Sequence, residues 1–501
     1  MDNLLSILTF IPLLAALILA VFLRGDDEAA QRNAKWLAVT ATGATFLVAL
    51  ILWGAFDPAM DGFQFVEERA WPLGLTYKVG VDGLSLGLCL AVAGLTPLAV
   101  AASWRIAERV RDYIIALLTA ETFILGALLS LDLVFFAIFL EGALVPLLVM
   151  AGLWGGKGAG QAALKVFLYA LPGAVLLIVT LATMANNAAT TDMDALMRHN
   201  LPSGGESRFP GGLQTWLLLG LAWSLAVKLP LWPLHAWLPG LAARAPAAAT
   251  LMVAGTGAIL GLYMLLRLAV PMLPMGLMDL WPYATGLALF SFAWAALAAY
   301  VQERMRGALA YLAMALAAIP LLAALSGSAM GIDAAILGAA ARALTLAGLF
   351  VALTMVEARL RSDAFEAMGG IRLRLPGFSI LLMALCYTCF GLPGTAAFPV
   401  LALAVLGAFE AHAWLAVALV LAVLGLGAVA AGLYRQIALG DLLREDVRTM
   451  GGMDARERLA MGLALGALVL LGLIPGLLLD RTGPAAAALA ESYAAATSAP
   501  E

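Results

Sequence analysis

Runs of about twenty apolar residues recur along this chain, each as long as a helix needs to cross the hydrocarbon core of a bilayer. They lie near 4–23, 36–55, 83–104, 112–130, 132–154, 163–186, 212–234, 246–270, 280–301, 308–326, 332–356, 375–392 (continuing to about 409), 413–434 and 459–479. Lipid cannot hydrogen-bond a backbone N–H or C=O, so such segments fold as α-helices. The expected fold is an all-α polytopic membrane protein with about fourteen transmembrane helices. No stretch between the runs leaves room for a soluble domain. The run from Leu4 to Leu23 lacks a charged start and a small-residue cleavage site, so it reads as the first helix and not as a removed signal peptide.

The residue balance excludes several classes. Of 501 residues, 63% are hydrophobic and only 12% charged, and the mean hydropathy of +0.99 is beyond a soluble globular domain. The net charge of −4 is small and dispersed, with no basic tail or acidic block to meet nucleic acid. Twenty of the 28 basic residues fall on one alternate set of loops and helix ends. They are Arg24, Arg32 and Lys35; Arg105, Arg109 and Arg111; Lys157 and Lys165; Arg244; Arg304 and Arg306; Arg359, Arg361, Arg372 and Arg374; and Arg435, Arg444, Arg448, Arg456 and Arg458. Basic residues collect on the cytoplasmic side, so this asymmetry predicts an even helix count with both termini outside the cytoplasm.

Two runs are interrupted. Lys228 stands in Ala226-Val227-Lys228-Leu229-Pro230-Leu231-Trp232-Pro233, at the end of a long uncharged stretch. The prolines remove backbone donors and break the helix beside the lysine. A broken helix at membrane depth is tolerated where it is packed in protein or lines a wet cavity. A similar break follows Cys389, in Phe390-Gly391-Leu392-Pro393-Gly394-Thr395. Paired breaks point to an internal repeat with sites at the interruptions.

The intramembrane ionisable residues are the candidates for chemistry. Glu141 lies in Phe139-Leu140-Glu141-Gly142, a costly place for an unpaired carboxylate, and Lys228 is its natural partner. A pair whose separation changes can take up and release a proton; a static pair would set helix register. Glu121, one helix earlier, could be a second carboxylate for the same cation or a helix-to-helix hydrogen bond. His235 follows the break and could relay protons or cap the broken helix. Lys165 could be a relay group or could snorkel to the interface. Arg342, in Ala341-Arg342-Ala343, keeps its proton and so reads as a structural lock for a carboxylate or for backbone carbonyls. Trp232 and Trp237 are expected as interface anchors. Cys386 and Cys389 form a C-x-x-C inside an apolar helix, and read as small packing residues; Cys89 is also in an apolar run, so no disulfide framework is expected. There is no P-loop, dinucleotide fingerprint or iron–sulfur cysteine set, which places any electron transfer on other polypeptides.

At these residues the chain resembles the subunit M family of bacterial NADH:quinone oxidoreductase (complex I), related to mitochondrial subunit ND-four and to the large subunits of Mrp-type cation/proton antiporters. The resemblance covers nearly the whole length. It is carried by Val81-Asp82-Gly83-Leu84-Ser85-Leu86, Arg111-Asp112-Tyr113, Phe139 to Gly142, Lys165-Val166-Phe167-Leu168-Tyr169, Val227 to Pro230, Trp237-Leu238-Pro239 and Gly391 to Thr395. It implies two inverted five-helix repeats with broken helices. The expected organisation is N-terminal helices over 1–111, a first antiporter-like repeat over 112–270, a degenerate second repeat over 271–440, and a C-terminal helix and tail over 441–501. The resemblance also implies a proton path through Glu141 and Lys228, and a place in the membrane arm beside other membrane-arm and hydrophilic subunits. FMN, iron–sulfur clusters and quinone would sit on those partners and none on this chain. The implied location is the bacterial inner membrane, with both termini periplasmic. Alternatives of the same fold are a subunit of an Mrp-type antiporter and a non-pumping structural paralogue in a complex I-like or hydrogenase-like assembly.

The departures are specific. Gly240-Leu241-Ala242 replaces the family's Asp-Ala-His, Ile259 stands at the family's next lysine, Arg342 at a histidine, and Leu401 at an acid or lysine. Tyr311 to Leu316 also lacks the family's hydroxyl and histidine groups. The resemblance thus implies an input half that keeps its Glu–Lys pair, central and output groups that are mostly apolar, and a subunit whose own proton translocation is impaired or absent.

Overall fold

The computed structural model describes residues 3–23, 25, 27–72, 75–199, 201, 212–442 and 444–498. Arg24, counted above among the basic residues, lies outside them. Among the described residues, eleven helices are long and apolar enough to cross a membrane. Two bent pairs, with angles of 116° and 64°, raise the number to thirteen. The expected all-α polytopic fold with broken helices is what forms, and the count by length and composition reaches thirteen beside two shorter apolar helices. The helices Leu213–Lys228 and Ala397–Ala411 are shorter, because the proline and glycine breaks noted above cut into their runs.

One element was not expected. A two-stranded antiparallel hairpin, β1 (Gln64–Ala70) and β2 (Thr76–Val81), joins the second and third helices. Tyr77, Val79 and Val81 alternate into the interior, as a half-buried strand requires. The hairpin delivers Asp82, which caps the helix Gly83–Ala102 in a reciprocal box with Ser85.

Ten helical places follow in two runs of five. The first holds Val110–Leu129, Leu133–Leu153, Ala159–Ala188, Leu213–Lys228 and Ala247–Met272. The second holds Pro274–Tyr300, Met305–Ala324, Ala329–Leu360, the broken pair Pro376–Tyr387 and Ala397–Ala411, and Ala413–Ala438. The fourth place is the interrupted one in both. Burial separates centre from rim: Ala247–Met272 and Ala329–Leu360 are 94% buried over their apolar windows, Ala159–Ala188 and Pro274–Tyr300 only 33%. On Ala159–Ala188 the exposed residues Leu164, Leu168, Leu171, Val175 and Ile178 recur every three or four positions. That is one helical face, apolar where a soluble helix would be polar, and it suits lipid.

The basic loops meet on one side. Arg105 and Arg359 both bind Glu457, at 2.9 and 2.8 Å, and the Lys35 Nζ donates to the Trp104 carbonyl at 2.8 Å. Arg306 pairs with Glu357 and also donates to the Ala242 and Ala245 carbonyls. The Gly156 N–H reaches the Arg244 carbonyl at 2.8 Å. The loops grouped by charge in the sequence are thus one physical surface.

The second break is held by backbone. The Ala396 N–H donates to the Leu468 carbonyl at 2.7 Å, and a Cβ on Gly472 would lie 2.2 Å from the Thr395 carbonyl carbon. Backbone cannot step aside as a side chain can. Gly472→Ala is therefore expected to cost at least the ~1–3 kcal/mol typical of overpacking, read as a lower thermal unfolding midpoint of the solubilised protein. An unchanged midpoint would mean that the two segments are not so closely apposed.

Candidate functional site

Asp132 starts the helix Leu133–Gly142 by accepting from the Val134 and Phe135 N–H groups. Glu141 lies in the middle of the span Leu133–Leu153, which runs on through Ala143, whose backbone stays helical and whose N–H donates to the Phe139 carbonyl at 3.1 Å. Lys228 is the last residue of its helix. Beyond it the Leu231 N–H turns back to the Ala226 carbonyl at 2.8 Å, and the Trp232 N–H is taken by the Ser291 hydroxyl oxygen at 2.9 Å. The chain becomes helical again at Trp237. The helix Ala247–Met264 passes close behind: a Cβ on Gly261 would lie 2.9 Å from Leu229 Cγ and 3.3 Å from Lys228 Cβ. A carboxylate in mid-span and an amine at a helix end are thus placed side by side.

They meet. Lys228 Nζ donates to Glu141 Oε1 at 3.1 Å, with the two side chains 14% and 18% exposed. On the inner side of the pair, a cavity with ≈ 50 Å³ of room for water centres is bordered by Lys228, Thr256 and Trp237. On the outer side, Glu141 is the one polar residue on an apolar groove of ≈ 420 Å³ between residues 144–149 and 163–174.

The other candidates are distributed around this pair. Lys165 is exposed and donates to the Ala236 carbonyl at 3.0 Å. His235 is buried between Trp294 and Tyr311, with no hydrogen-bond partner on Nδ1 among the described residues. These two groups therefore gather at the exit of the break. Glu121 is fully buried and neither carboxylate oxygen has a partner among the described residues. It lies near the depth of Glu141, because Phe123 packs on Gly142 and Phe139. Two residues of helix turn it about 200° from Phe123, toward Thr96 and away from the pair. The structure does not bring Glu121 to Lys228.

Arg342 is buried in the second run of five. It donates to the Ala313 carbonyl from Nε at 3.2 Å and from Nη2 at 3.1 Å, to Ala254 at 2.9 Å and to Gly255 at 3.3 Å. None of the ion pairs among the described residues involves it. It borders a small cavity, ≈ 30 Å³ for water centres, with Thr345, Thr388 and Leu401. Ile259 is fully buried. Trp237 corrects an expectation: it is 3% exposed beside the Lys228 cavity and is no interface anchor, because the break folds it inward, whereas Trp232 is 38% exposed. Cys386 and Cys389 are buried and reduced, as is Cys89. Among the described residues no three His, Cys, Asp or Glu side chains gather as a metal site.

Sequence reasoning missed a second buried ion pair, at the start of the helix Gly83–Ala102. Arg267, in a wide turn of helix over Leu265–Ala269, donates to Asp82 Oδ1 at 2.6 Å and to the Tyr263 hydroxyl at 3.2 Å. Its signal was visible: a lone cation in Leu265-Leu266-Arg267-Leu268-Ala269, the same kind of pattern as Lys228. Burial alone would push the Asp82 carboxyl up, but the adjacent Arg267 guanidinium and the Ser85 hydrogen bonds hold it below the usual carboxylate range.

Residues 130–426 match the family described as NADH:quinone oxidoreductase/Mrp antiporter, TM. The chain is 38% identical to the NADH-quinone oxidoreductase subunit M of Rhodobacter capsulatus over 98% of its own length and 97% of the relative's. Among solved structures it is similar to a chain of respiratory complex I from Thermus thermophilus, with 25% identity, a TM-score of 0.87, and coverage of 98% and 99% of the two chains. It also shares the fold of a chain in the Mrp complex of a Dietzia species, with 19% identity, a TM-score of 0.82, and coverage of 99% and 98%.

Proposed function

This chain belongs to the subunit M family of NADH-quinone oxidoreductase, the antiporter-like subunits of the complex I membrane arm, and from that premise we propose that it exchanges protons through the Glu141–Lys228 pair. The observation that carries this reading is the 3.1 Å contact between a carboxylate in mid-span and an amine at the end of a broken helix, with a water-sized cavity against the lysine. At that distance two unit charges attract by roughly 5 kcal/mol for an effective dielectric near 20. While the pair is closed, both charges are compensated. When a helix end moves by a side-chain length, the ammonium is left in apolar surroundings and handing its proton to the cavity relieves the cost. Lys165 and His235, at the exit of the break, are proposed as the relay toward the basic face; Glu121, turned away, is proposed as a reserve carboxyl off this route.

The interrupted fourth helix in each run of five supports two inverted repeats, the first over 112–270 and the second over 271–440, between N-terminal helices and a C-terminal helix and tail. The basic loops gathered on one face support a cytoplasmic placement for that face, both termini periplasmic, in the bacterial inner membrane. The redox cofactors belong to other subunits of the complex; FMN, iron–sulfur clusters and quinone are the proposed set. Driving force then reaches this chain as a conformational or electrostatic change from its neighbours.

The test is proton translocation by the whole complex in proteoliposomes. Glu141→Gln leaves Lys228 facing a neutral amide in a poorly hydrated layer. The expected result is fewer protons moved per NADH oxidised, with the complex still assembled. A ratio equal to the parent's would remove the exchange reading and leave a register-setting contact.

A further inference from the structure

The helix Ala247–Met264 is a wall between two cavities. Val253, Thr256, Gly257 and Leu260 border the Lys228 cavity, while the carbonyls of Ala254 and Gly255 accept from Arg342. Arg342, Thr345, Thr388 and Leu401 border the second cavity. Each space exceeds the roughly 10–15 Å³ that one water centre needs, and each has polar groups to hold water. A chain of waters and hydroxyls entering at Lys228 and leaving through the second cavity would have to pass Arg342.

We infer that Arg342 is a non-exchanging plug, which confines protons loaded at Lys228 to the first half of the chain; this rests on the proton-exchange reading of Lys228. A hopping proton needs at each step a group that accepts one proton and gives up another. A guanidinium keeps its charge in proteins and has no acceptor atom. Its hydrogen bonds are committed to carbonyls of Ala254, Gly255 and Ala313, which hold no proton to pass on. The flanking hydroxyls are committed too. Thr256 donates to the Met252 carbonyl at 2.6 Å. Thr388 donates to the Leu385 carbonyl at 2.7 Å, which leaves Thr345 as donor in the 2.9 Å contact between the two threonines. No carboxylate compensates Arg342 among the described ion pairs, so its uncancelled charge also repels a hydrated proton arriving from either cavity.

The plug predicts that a group able to release its proton, placed at this position, opens the route. The whole complex is reconstituted in liposomes, a pH gradient is imposed without NADH, and its decay is followed with a trapped dye. Arg342→His is expected to speed the decay several-fold over the parent, because imidazole both accepts and donates. Arg342→Lys, which keeps a cation but can release its proton, is the second relay variant, should the histidine variant not assemble. Arg342→Met, apolar and unable to relay, is expected to stay as tight as the parent and so reports on damage to packing. Adding Lys228→Met to the relay variant is expected to restore the slow decay. Slow decay in both relay variants, equal leakage with Met, or a leak that survives Lys228→Met would each overturn the plug. Failure of the underlying reading shows separately, as an unchanged proton-to-NADH ratio in Glu141→Gln and Lys228→Met.

Discussion

Replacing Lys228 with methionine is expected to abolish the share of proton translocation carried by this chain while the complex remains assembled. Methionine fills the space of the lysine stem and removes the one amine on the cavity that reaches Thr256. It also leaves Glu141 as an unpaired acid at the edge of the apolar groove. Removing one member of a buried pair costs about 3–5 kcal/mol when the partner stays charged. Glu141 is 18% exposed, and solvent or a proton from the groove reduces that cost, so loss of exchange outweighs loss of stability. The measurement is protons moved per NADH oxidised in proteoliposomes, beside native gel analysis of assembly. Normal stoichiometry in the assembled variant would leave the pair without a role in transport.

A larger effect on stability is expected at the Arg267–Asp82 pair. Arg267 is 2% exposed and its guanidinium also stacks near the rings of Phe63 and Tyr263. Asp82→Ala strands this cation, at about 3–5 kcal/mol for a broken buried pair, and deletes the cap of Gly83–Ala102, at roughly 1 kcal/mol. Sums of this size rival the whole stability of many domains, so the variant is expected to accumulate poorly and to be absent from purified complex. Asp82→Asn keeps a cap and should fall between. Because the Asp82 carboxyl is held below its unfolded value, its contribution is present above the ordinary carboxylate range and is lost only as pH falls through the lower folded value. Stability from this pair should therefore be flat across neutral pH and collapse in acid. Asp82→Ala complex recovered in normal amount would show that the pair is dispensable.

How far the sequence could be read follows from the range of each interaction. Helices were legible because their hydrogen bonds are local and the bilayer fixes their length. Glu141 and Lys228 were legible as a pair because a lone charge in an apolar run demands a partner. The hairpin was not, since two short strands between long apolar runs are invisible to a twenty-residue window. The partnership of Arg267 with Asp82 spans 185 residues; the lone cation in its apolar run was legible, but nothing local names Asp82 as its partner. Glu121 shows the remaining gap: its depth was readable, but the side of the helix it faces depends on how Phe123 packs against Phe139. The exact number of spans is less legible for a related reason, because the same prolines that mark the sites shorten the helices that carry them.

The ion cluster around Glu457 also has a consequence for how the molecule is made. Arg105 binds a carboxylate that leaves the ribosome 352 residues later, and the helix Gly83–Ala102 packs against the final helix Gly476–Ser498. During synthesis, the first fifth of the protein must therefore wait in the membrane with an open flank and an uncompensated Arg105 until Glu457 and the helix Gly476–Ser498 arrive. Truncation near residue 450 should leave an insertion product that is complete in helix number through the second break yet unable to close, and quality-control proteases would meet it at that flank.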